Sequence, residues 1–273
     1  MGKHRSFSRL NSGLTGRDHY SSTYSDSLKR QIDWLRRGAN QKANAICMLL
    51  NQNGLKPSSI LEVGCGTGAI IAELQRRGLA KSYHAIDYSA EAIAFVKKTL
   101  PNVHSVVGDI VDCATLFGEH KFDLIICSHV LEHLENPERF LRSLSDLSWT
   151  NFLAEVPLEN LFFGRIKGRL QDRGKHPAGH VQFFNKQDFL TLLSNNGMDI
   201  SDEYVYAPFF SRDTIKFAYS DGGQLRHLLK MCTEHYFPKY CGVLWAKFYH
   251  AHMTVLCKKN QNLFKVAPKD GPD

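Results

Sequence analysis

The stretch ILEVGCGTGAI, residues 60–70, decides the fold class. It consists of an apolar run, three glycines at every second position and the start of an apolar helical pattern. A buried strand, a glycine loop and a helix N-terminus are the usual arrangement for binding a nucleotide or nucleoside. Asp87, at the end of the next predicted strand, suits a ribose diol. These features alone do not distinguish a dehydrogenase from other nucleoside-binding proteins.

Glu62, two residues before the first glycine, helps to distinguish them. A carboxylate at this place repels a pyrophosphate but attracts an ammonium group. S-adenosylmethionine carries adenosine, an ammonium group and a sulfonium, and it has no phosphate. Glu62 therefore favours this cofactor over a dinucleotide, and the glycines allow the backbone to approach it closely.

The rest of the chain alternates predicted strands and helices, which indicates a parallel sheet covered on both faces. A long helix over residues 26–53 comes first, after a polar arm at residues 1–24. We predict strands near residues 60–63, 83–86, 104–107, 122–127, 152–156, 203–206 and 252–257. The predicted fold class is α/β, with a doubly wound seven-stranded sheet.

Composition limits the class of protein. The chain has 273 residues, a net charge of +7 and seven cysteines without a C-x-x-C pair. No apolar run reaches the ~18 residues that span a bilayer, and the N-terminus has no apolar signal-peptide core. We therefore expect a reduced, cytoplasmic protein without a membrane partner. The positive charge is compatible with an anionic partner or with a solvated basic surface.

Several motifs resemble those of class I S-adenosylmethionine-dependent methyltransferases, over roughly residues 40–259. The resemblance rests on the segments EVGCGTG (62–68), IDYS (86–89), GDI (108–110), SHVLEHL (128–134) and HVQFF (180–184). It implies a mostly parallel Rossmann-like sheet with an antiparallel last strand. The helix over residues 26–53 is then an N-terminal cap, and the aromatic-rich stretch 208–250 is an insertion before that strand. The resemblance also implies S-adenosyl-L-methionine as the cofactor.

The residues expected to bind this cofactor lie in those motifs or on the N-terminal helix. They are Lys42, Glu62, Gly64, Cys65, Gly66, Thr67, Gly68, Asp87, Tyr88, Gly108, Asp109, Ile110, Ser128 and His129. The resemblance assigns the ribose hydroxyls to Asp87, the adenine amino group to Asp109 and the cofactor carboxylate to Lys42, with Arg37 as the second choice.

Two histidines are the candidate catalytic bases, His133 first and His180 second. Each could instead make only a structural hydrogen bond. A base is needed when the methyl acceptor is an alcohol or a phenol. We expect no metal, because Pro177 between His176 and His180 interrupts the helical spacing of a zinc site.

The acceptor is expected to contact the loop after the fifth strand and the N-terminal arm. The candidate substrate-binding residues are Tyr20, Tyr24, Arg165, Arg169, Arg173 and His176. The arginines favour an anionic acceptor, although a solvated loop explains them equally well.

The sequence thus predicts an N-terminal arm and cap at 1–53, a cofactor-binding domain at 54–260 with acceptor-site insertions at 158–180 and 208–250, and a flexible tail at 261–273. We expect methyl transfer to an oxygen of a small molecule, with an acidic molecule as one option and nitrogen as the alternative atom. The remaining alternatives are an RNA or protein methyltransferase and a non-catalytic cofactor-binding protein. We do not expect a nucleic-acid partner, and the sequence leaves the oligomeric state open.

Overall fold

The structure, a computed structural model, describes residues 16–159, 161, 179–219, 223–249 and 251–260, with side chains from residue 28 onward. Its strands are β1 (Ser59–Val63), β2 (Ser82–Asp87), β3 (Val103–Val107), β4 (Lys121–Ser128), β5 (Ser148–Leu158), β6 (Met198–Tyr206) and β7 (Ala251–Lys259). Its helices are α1 (Gly16–Gln52), α2 (Ala69–Arg76), α3 (Ala90–Thr99), α4 (Cys113–Phe117), α5 (Pro137–Ser143), α6 (Lys186–Asn195), α7 (Arg212–Ala218), α8 (Gln224–Met231) and α9 (Phe237–Phe248).

The strands form one sheet in the order β3-β2-β1-β4-β5-β7-β6. β7 is antiparallel to both of its neighbours, and all other neighbouring strands are parallel. The direction of the chain across the sheet reverses between β1 and β4, which leaves a crevice at their carboxyl ends. This order confirms the predicted fold class and places the glycine loop beside the segment that follows β4.

Alternate residues of each central strand face opposite sides, and each side has its own core. Leu61 and Ile125 belong to one apolar cluster, and Ile60 and Leu124 belong to the other. Helices α1, α2 and α3 cover the second cluster, and α4, α5 and α6 cover the first. The sheet is therefore doubly wound, as its continuously apolar strands predict.

Helix α1 begins at Gly16, well before the predicted start at residue 26. The prediction of an arm over residues 1–24 is therefore wrong for residues 16–24, and residues 1–15 lie outside the described part. Serine and threonine lower the local helix propensity here. Extending an established helix nevertheless costs little, because the unfavourable nucleation step is already complete.

The segment between β6 and β7 forms α7, α8, a π-helical turn at Cys232–Tyr236, and α9. It packs on α1, where the Gln41 amide oxygen accepts the Phe209 N–H at 2.8 Å. The Arg37 guanidinium lies 4.6 Å above the Phe217 ring. Arg37 therefore contacts the insertion, and it is not among the residues that line the cavity described below.

None of the described helices combines the length and the apolar character needed to cross a bilayer.

Candidate active site

A cavity of about 450 Å³ lies at the carboxyl ends of β1, β2 and β4, next to the switch in strand order. Its volume falls within the range that is typical of small-molecule sites. Most of the residues expected to bind the cofactor line it. These are Lys42, Glu62, Gly64, Cys65, Gly66, Asp87, Tyr88, Asp109, Ile110, Ser128 and His129.

Three of the expected cofactor residues do not line this cavity. Thr67 and Gly68 border a neighbouring hollow against α3. Gly108 lies outside the cavity wall, and its N–H donates to the carbonyl of Asp87, which does line the cavity, at 3.0 Å. A Cβ on Gly108 would lie 2.4 Å from Leu116 Cδ1, so close packing accounts for this glycine.

The glycine loop has a backbone that other residues rarely adopt. Gly64 and Gly66 have φ angles of 67° and 52°. A Cβ on Gly64 would lie 2.4 Å from Val130 Cγ2. Glycine thus permits both the left-handed conformation and the close approach of the segment after β4.

Glu62 is buried, and its Oε2 accepts the Ile71 N–H at 3.0 Å. Ile71 lies in the first turn of α2, whose N-cap, Gly68, has no side chain to accept such a bond. Glu62 therefore caps this helix from the neighbouring strand, a role that the sequence does not reveal. Burial raises the pKa of the Glu62 carboxyl to about 8, although the Ile71 N–H and the Lys42 ammonium lower it.

Lys42 projects from α1 into the same cavity. Burial lowers the pKa of its ammonium group, while Glu155, Glu132 and Glu62 raise it. Within the described part of the chain, this group makes no direct ion pair. The Lys42 ammonium group can therefore donate hydrogen bonds to a ligand carboxylate without breaking an existing ion pair.

Asp87 fixes the glycine loop. Its Oδ2 accepts the Gly66 N–H at 2.7 Å, and its Oδ1 accepts the Ser89 N–H at 2.9 Å. Each carboxylate oxygen keeps further lone-pair capacity toward the cavity. Asp87 thus orders the loop as well as offering acceptors to a ligand diol.

The candidate bases differ in position. His133 lines the cavity, whereas His180 lies behind it, with the two ring centroids 4.8 Å apart. His133 Nδ1 lies 3.1 Å from the Gly179 carbonyl oxygen, which can only accept a hydrogen bond. In the neutral ring the lone pair is therefore on Nε2. Burial lowers the pKa of His133 to about 4, although Glu132 raises it, so the ring is neutral at pH 7.

A buried charge network next to this pair was not predicted. His129, with a left-handed φ of 58°, has Nδ1 3.1 Å from Glu132 Oε1 and Nε2 3.2 Å from Glu155 Oε1. Glu155 Oε1 also accepts the Tyr206 hydroxyl at 3.0 Å and lies 3.3 Å from His252 Nδ1. Burial and Lys42 lower the pKa of His129, but the carboxylates raise it more, so the net shift is upward.

Two trios in this region have ligand atoms within 4.8 Å of one another, namely Glu132, His133 and His180, and His129, Glu155 and His252. Either trio has donors that a divalent cation accepts. Glu155 Oε1 already pairs with His129 and His252, and His133 Nε2 lies 4.0 Å from Glu132 Oε1, so neither arrangement requires an ion. The absence of a metal remains a prediction.

The expected acceptor residues fall largely outside the described part. This applies to Arg165, Arg169, Arg173 and His176. Tyr20 and Tyr24 belong to α1, but their side chains are not described. The cavity instead offers Arg139 of α5, an exposed cation that was not predicted.

The charged and polar groups around the cavity fit S-adenosyl-L-methionine. A carboxylate and an ammonium, Glu62 and Lys42, match the charges of its amino-acid group, and Asp87 and Asp109 offer acceptors for hydroxyl and amino groups. Ser128 Oγ is buried at the cavity and has no hydrogen-bond partner among the described residues. Such a group is normally satisfied by a ligand or by water.

If the cofactor ammonium pairs with Glu62, cofactor binding should strengthen with pH. The ammonium favours the carboxylate, so binding below pH 8 releases the proton that Glu62 holds. We expect affinity to rise by up to about tenfold per pH unit from pH 6 to 8 and then to level off. Calorimetry with S-adenosylhomocysteine measures this dependence.

Glu62→Gln is the matched control, because its amide oxygen can still accept the Ile71 N–H. It should bind the cofactor with little dependence on pH. An equal slope in the variant would show that another group causes the effect.

Comparisons with known proteins identify the family. A family model described as "Methyltransferase domain" matches residues 21–203. The ubiquinone biosynthesis O-methyltransferase of Glaesserella parasuis serovar 5 (strain SH0165) is 31% identical over 102 residues, which are 35% of this chain and 42% of that protein. The chain spans less than half the length of the first curated relatives that it matches.

Solved structures show the same fold. The plantazolicin methyltransferase BamL, in complex with a triazolic desmethylPZN analog and SAH, has a TM-score of 0.55 at 18% identity, over 89% of this chain and 95% of its own. The [4+2]-cyclase SpnF has a TM-score of 0.60 at 12% identity, over 90% and 97%. Since a cyclase has this fold, the fold alone does not establish methyl transfer. The family model covers most of the chain, which therefore belongs to the methyltransferase-domain family, of the class I type that uses S-adenosyl-L-methionine.

Proposed function

We propose that this protein transfers a methyl group from S-adenosyl-L-methionine to an oxygen atom of a small, acidic metabolite, with nitrogen as the alternative acceptor atom. The observation that carries the proposal is His133, a neutral imidazole that lines the same cavity as Glu62, Asp87 and Lys42. The O-methyltransferase relative supports oxygen as the acceptor atom.

The bound cofactor supplies a methyl group activated by a sulfonium. The protein must hold the acceptor lone pair in line with that carbon and exclude water. A hydroxyl acceptor also has to lose its proton, and His133 Nε2 is the nitrogen that can take it. The Gly179 carbonyl fixes the ring by accepting the Nδ1 hydrogen bond.

His180 acts as a positioning residue in this proposal. Its Nδ1 lies 2.7 Å from Glu159 Oε2, and its ring packs edge-on against His133. This contact restricts the rotation of the His133 ring without bringing His180 to the wall of the cavity. His180→Ala should therefore reduce activity less than His133→Ala.

Arg139 is the described residue that best supports an acidic acceptor. The cavity is lined by two basic side chains among the described residues, Lys42 and Arg139, and Lys42 is assigned to the cofactor carboxylate. A guanidinium can bind a carboxylate or phosphate through two parallel hydrogen bonds.

Replacing Arg139 with alanine should raise the acceptor KM by about tenfold, equivalent to about 1.4 kcal/mol, with cofactor affinity unchanged. Arg142→Ala is the matched control, since Arg142 is also exposed and basic in α5 but does not line the cavity. A neutral acceptor would show the same KM with both variants.

The proposed reaction is tested by incubating the protein with S-adenosylmethionine and a panel of acidic and neutral hydroxyl and amine metabolites, with bulk RNA in parallel. We expect S-adenosylhomocysteine and methylated product from acidic hydroxyl compounds. Methylated RNA would favour the RNA methyltransferase alternative. Cofactor binding without turnover on any acceptor would favour a binding protein.

A further inference from the structure

The exposed large apolar side chains of the described residues are concentrated in the segment 223–249. Outside it, the described large hydrophobic residues that are exposed are scattered, at Trp34, Val107, Leu116 and Ile200. Inside it they are Leu225, Leu228, Leu229, Tyr236, Phe237, Tyr240, Val243, Leu244 and Phe248. We call these nine side chains the α8–α9 surface. Single exposed apolar residues are ordinary, but such a concentration marks an interaction site.

The spacing of these residues follows the helical repeat. Leu225, Leu228 and Leu229 are three and four positions apart on α8, and Leu244 and Phe248 are four apart on the part of α9 that follows a kink at Cys241. Residues at these spacings lie on one face of a helix. Val243 is 83% exposed, and Leu225 and Tyr240 are each 71% exposed, so these faces are directed to solvent.

The opposite side of this segment is anchored to the protein. Ala246 is buried in the apolar core cluster, and the Phe210 N–H donates to the Glu234 carbonyl at 3.0 Å. Buried His235 lies 2.8 Å, through Nδ1, from the Phe210 carbonyl oxygen. The exposure of the α8–α9 surface is therefore a feature of a packed segment.

The exposed charges within the segment itself have one sign. The exposed charged residues of the segment 223–249 are Arg226, Lys239 and Lys247, all of them basic. Its one acidic residue, Glu234, is buried and is bound by Lys230 and the Tyr219 hydroxyl. An apolar face bordered by lysine and arginine matches the boundary between the acyl chains and the anionic headgroups of a bilayer.

A second copy of the chain fits this surface less well. A symmetric dimer through it would bring the same three cations of each copy close together, which is unfavourable. Insertion across a bilayer also fits poorly, because the helical stretch 224–248 is not apolar enough: it carries five charged residues, Arg226, Lys230, Glu234, Lys239 and Lys247.

We propose that the α8–α9 surface is an interfacial membrane-binding element that docks the protein onto anionic phospholipid. The expectation of no membrane partner rested on the absence of a spanning run, but a helix that lies in the plane of the interface needs none. This proposal does not depend on which acceptor is methylated.

The test is flotation of the full chain with large unilamellar vesicles. The vesicles contain either phosphatidylcholine alone or phosphatidylcholine with about 30 mol % of the anionic lipid phosphatidylglycerol. Wild type should float with the anionic vesicles and much less with the neutral ones, and added salt should weaken binding. Leu225→Glu combined with Val243→Glu should lower the vesicle partition coefficient by at least about tenfold, because both side chains must leave water on binding. These residues are exposed, so the fold should persist, which circular dichroism checks.

Ile200→Glu is the matched control, an exposed apolar residue on β6 outside the surface, and it should bind like wild type. Absence of wild-type binding to anionic vesicles at low salt would overturn the proposal. Equal loss in the control, full binding by the double variant, or equal binding to neutral vesicles would also overturn it. A concentration-dependent dimer in sedimentation, abolished by the double variant and without vesicle binding, would assign the surface to a second copy instead.

Discussion

Replacing His133 with alanine is expected to lower kcat by about 10²–10⁴ while cofactor affinity stays near that of wild type. The imidazole lines the cavity and carries its lone pair on Nε2, so its removal deprives a hydroxyl acceptor of the base. Steady-state kinetics at saturating cofactor, together with calorimetry, separate these two effects. His104→Ala is a suitable control, since His104 is an exposed histidine that is not part of the cavity wall.

The pH profile gives an independent check on His133. Its pKa is lowered to about 4, so the basic form persists well below the usual range of histidine. At saturating substrates kcat should stay level from neutral pH to about pH 5 and should fall as the pH drops through 4. Full kcat in His133→Ala would mean that the acceptor needs no base, which would favour an acceptor such as a carboxylate or a neutral amine.

Asp87→Asn is expected to weaken cofactor binding by about one to two orders of magnitude. The substitution removes the charge that strengthens hydrogen bonds to a ribose diol, and it places an amide N–H₂ against a backbone donor, Gly66 or Ser89. Because the Gly66 bond orders the glycine loop and the Ser89 bond orders the start of α3, unfolding free energy should also fall, by about 1–3 kcal/mol.

Chemical denaturation and calorimetry measure the two consequences of Asp87→Asn separately. Asp146→Asn serves as the control, because Asp146 is exposed and does not line the cavity. Loss of stability without any loss of cofactor affinity would leave Asp87 with the loop-ordering role alone.

The sequence predicted the features that are formed by residues close together in the chain. The glycine loop, the apolar strands and the helix caps at Ser89, Asn136 and Asn185 are all local features, and each cap side chain accepts the backbone N–H three residues further on. The strand-end position of Asp87 followed from the same alternation, because the carboxyl ends of parallel strands meet at one edge of the sheet.

What the sequence did not reveal depends on contacts between distant segments. Glu62 was interpreted through a ligand charge alone, yet it also caps α2, a contact made only when strand and helix pack. Glu155 and His252 meet because β5 and β7 are neighbours in the sheet. A charged residue inside an apolar strand, such as Glu155, was a signal that could have pointed to the network.

The α8–α9 surface shows a different limit. The aromatic residues of the segment were evident in the sequence, and their spacing allows an amphipathic helix. Periodicity identifies an apolar face, but it does not tell whether other parts of the chain cover that face. Only the packing of Ala246 and His235 shows which side of the segment is turned inward.

The central claim is that the cavity at the switch between β1 and β4 binds S-adenosylmethionine through Glu62, Lys42 and Asp87. Calorimetric titration of the wild-type protein with S-adenosylhomocysteine, beside the Asp87→Asn variant, tests it most directly. We expect saturable binding of S-adenosylhomocysteine at a single site per chain, weakened by about one to two orders of magnitude in the variant. No binding by the folded wild type, or equal binding by both proteins, would contradict it.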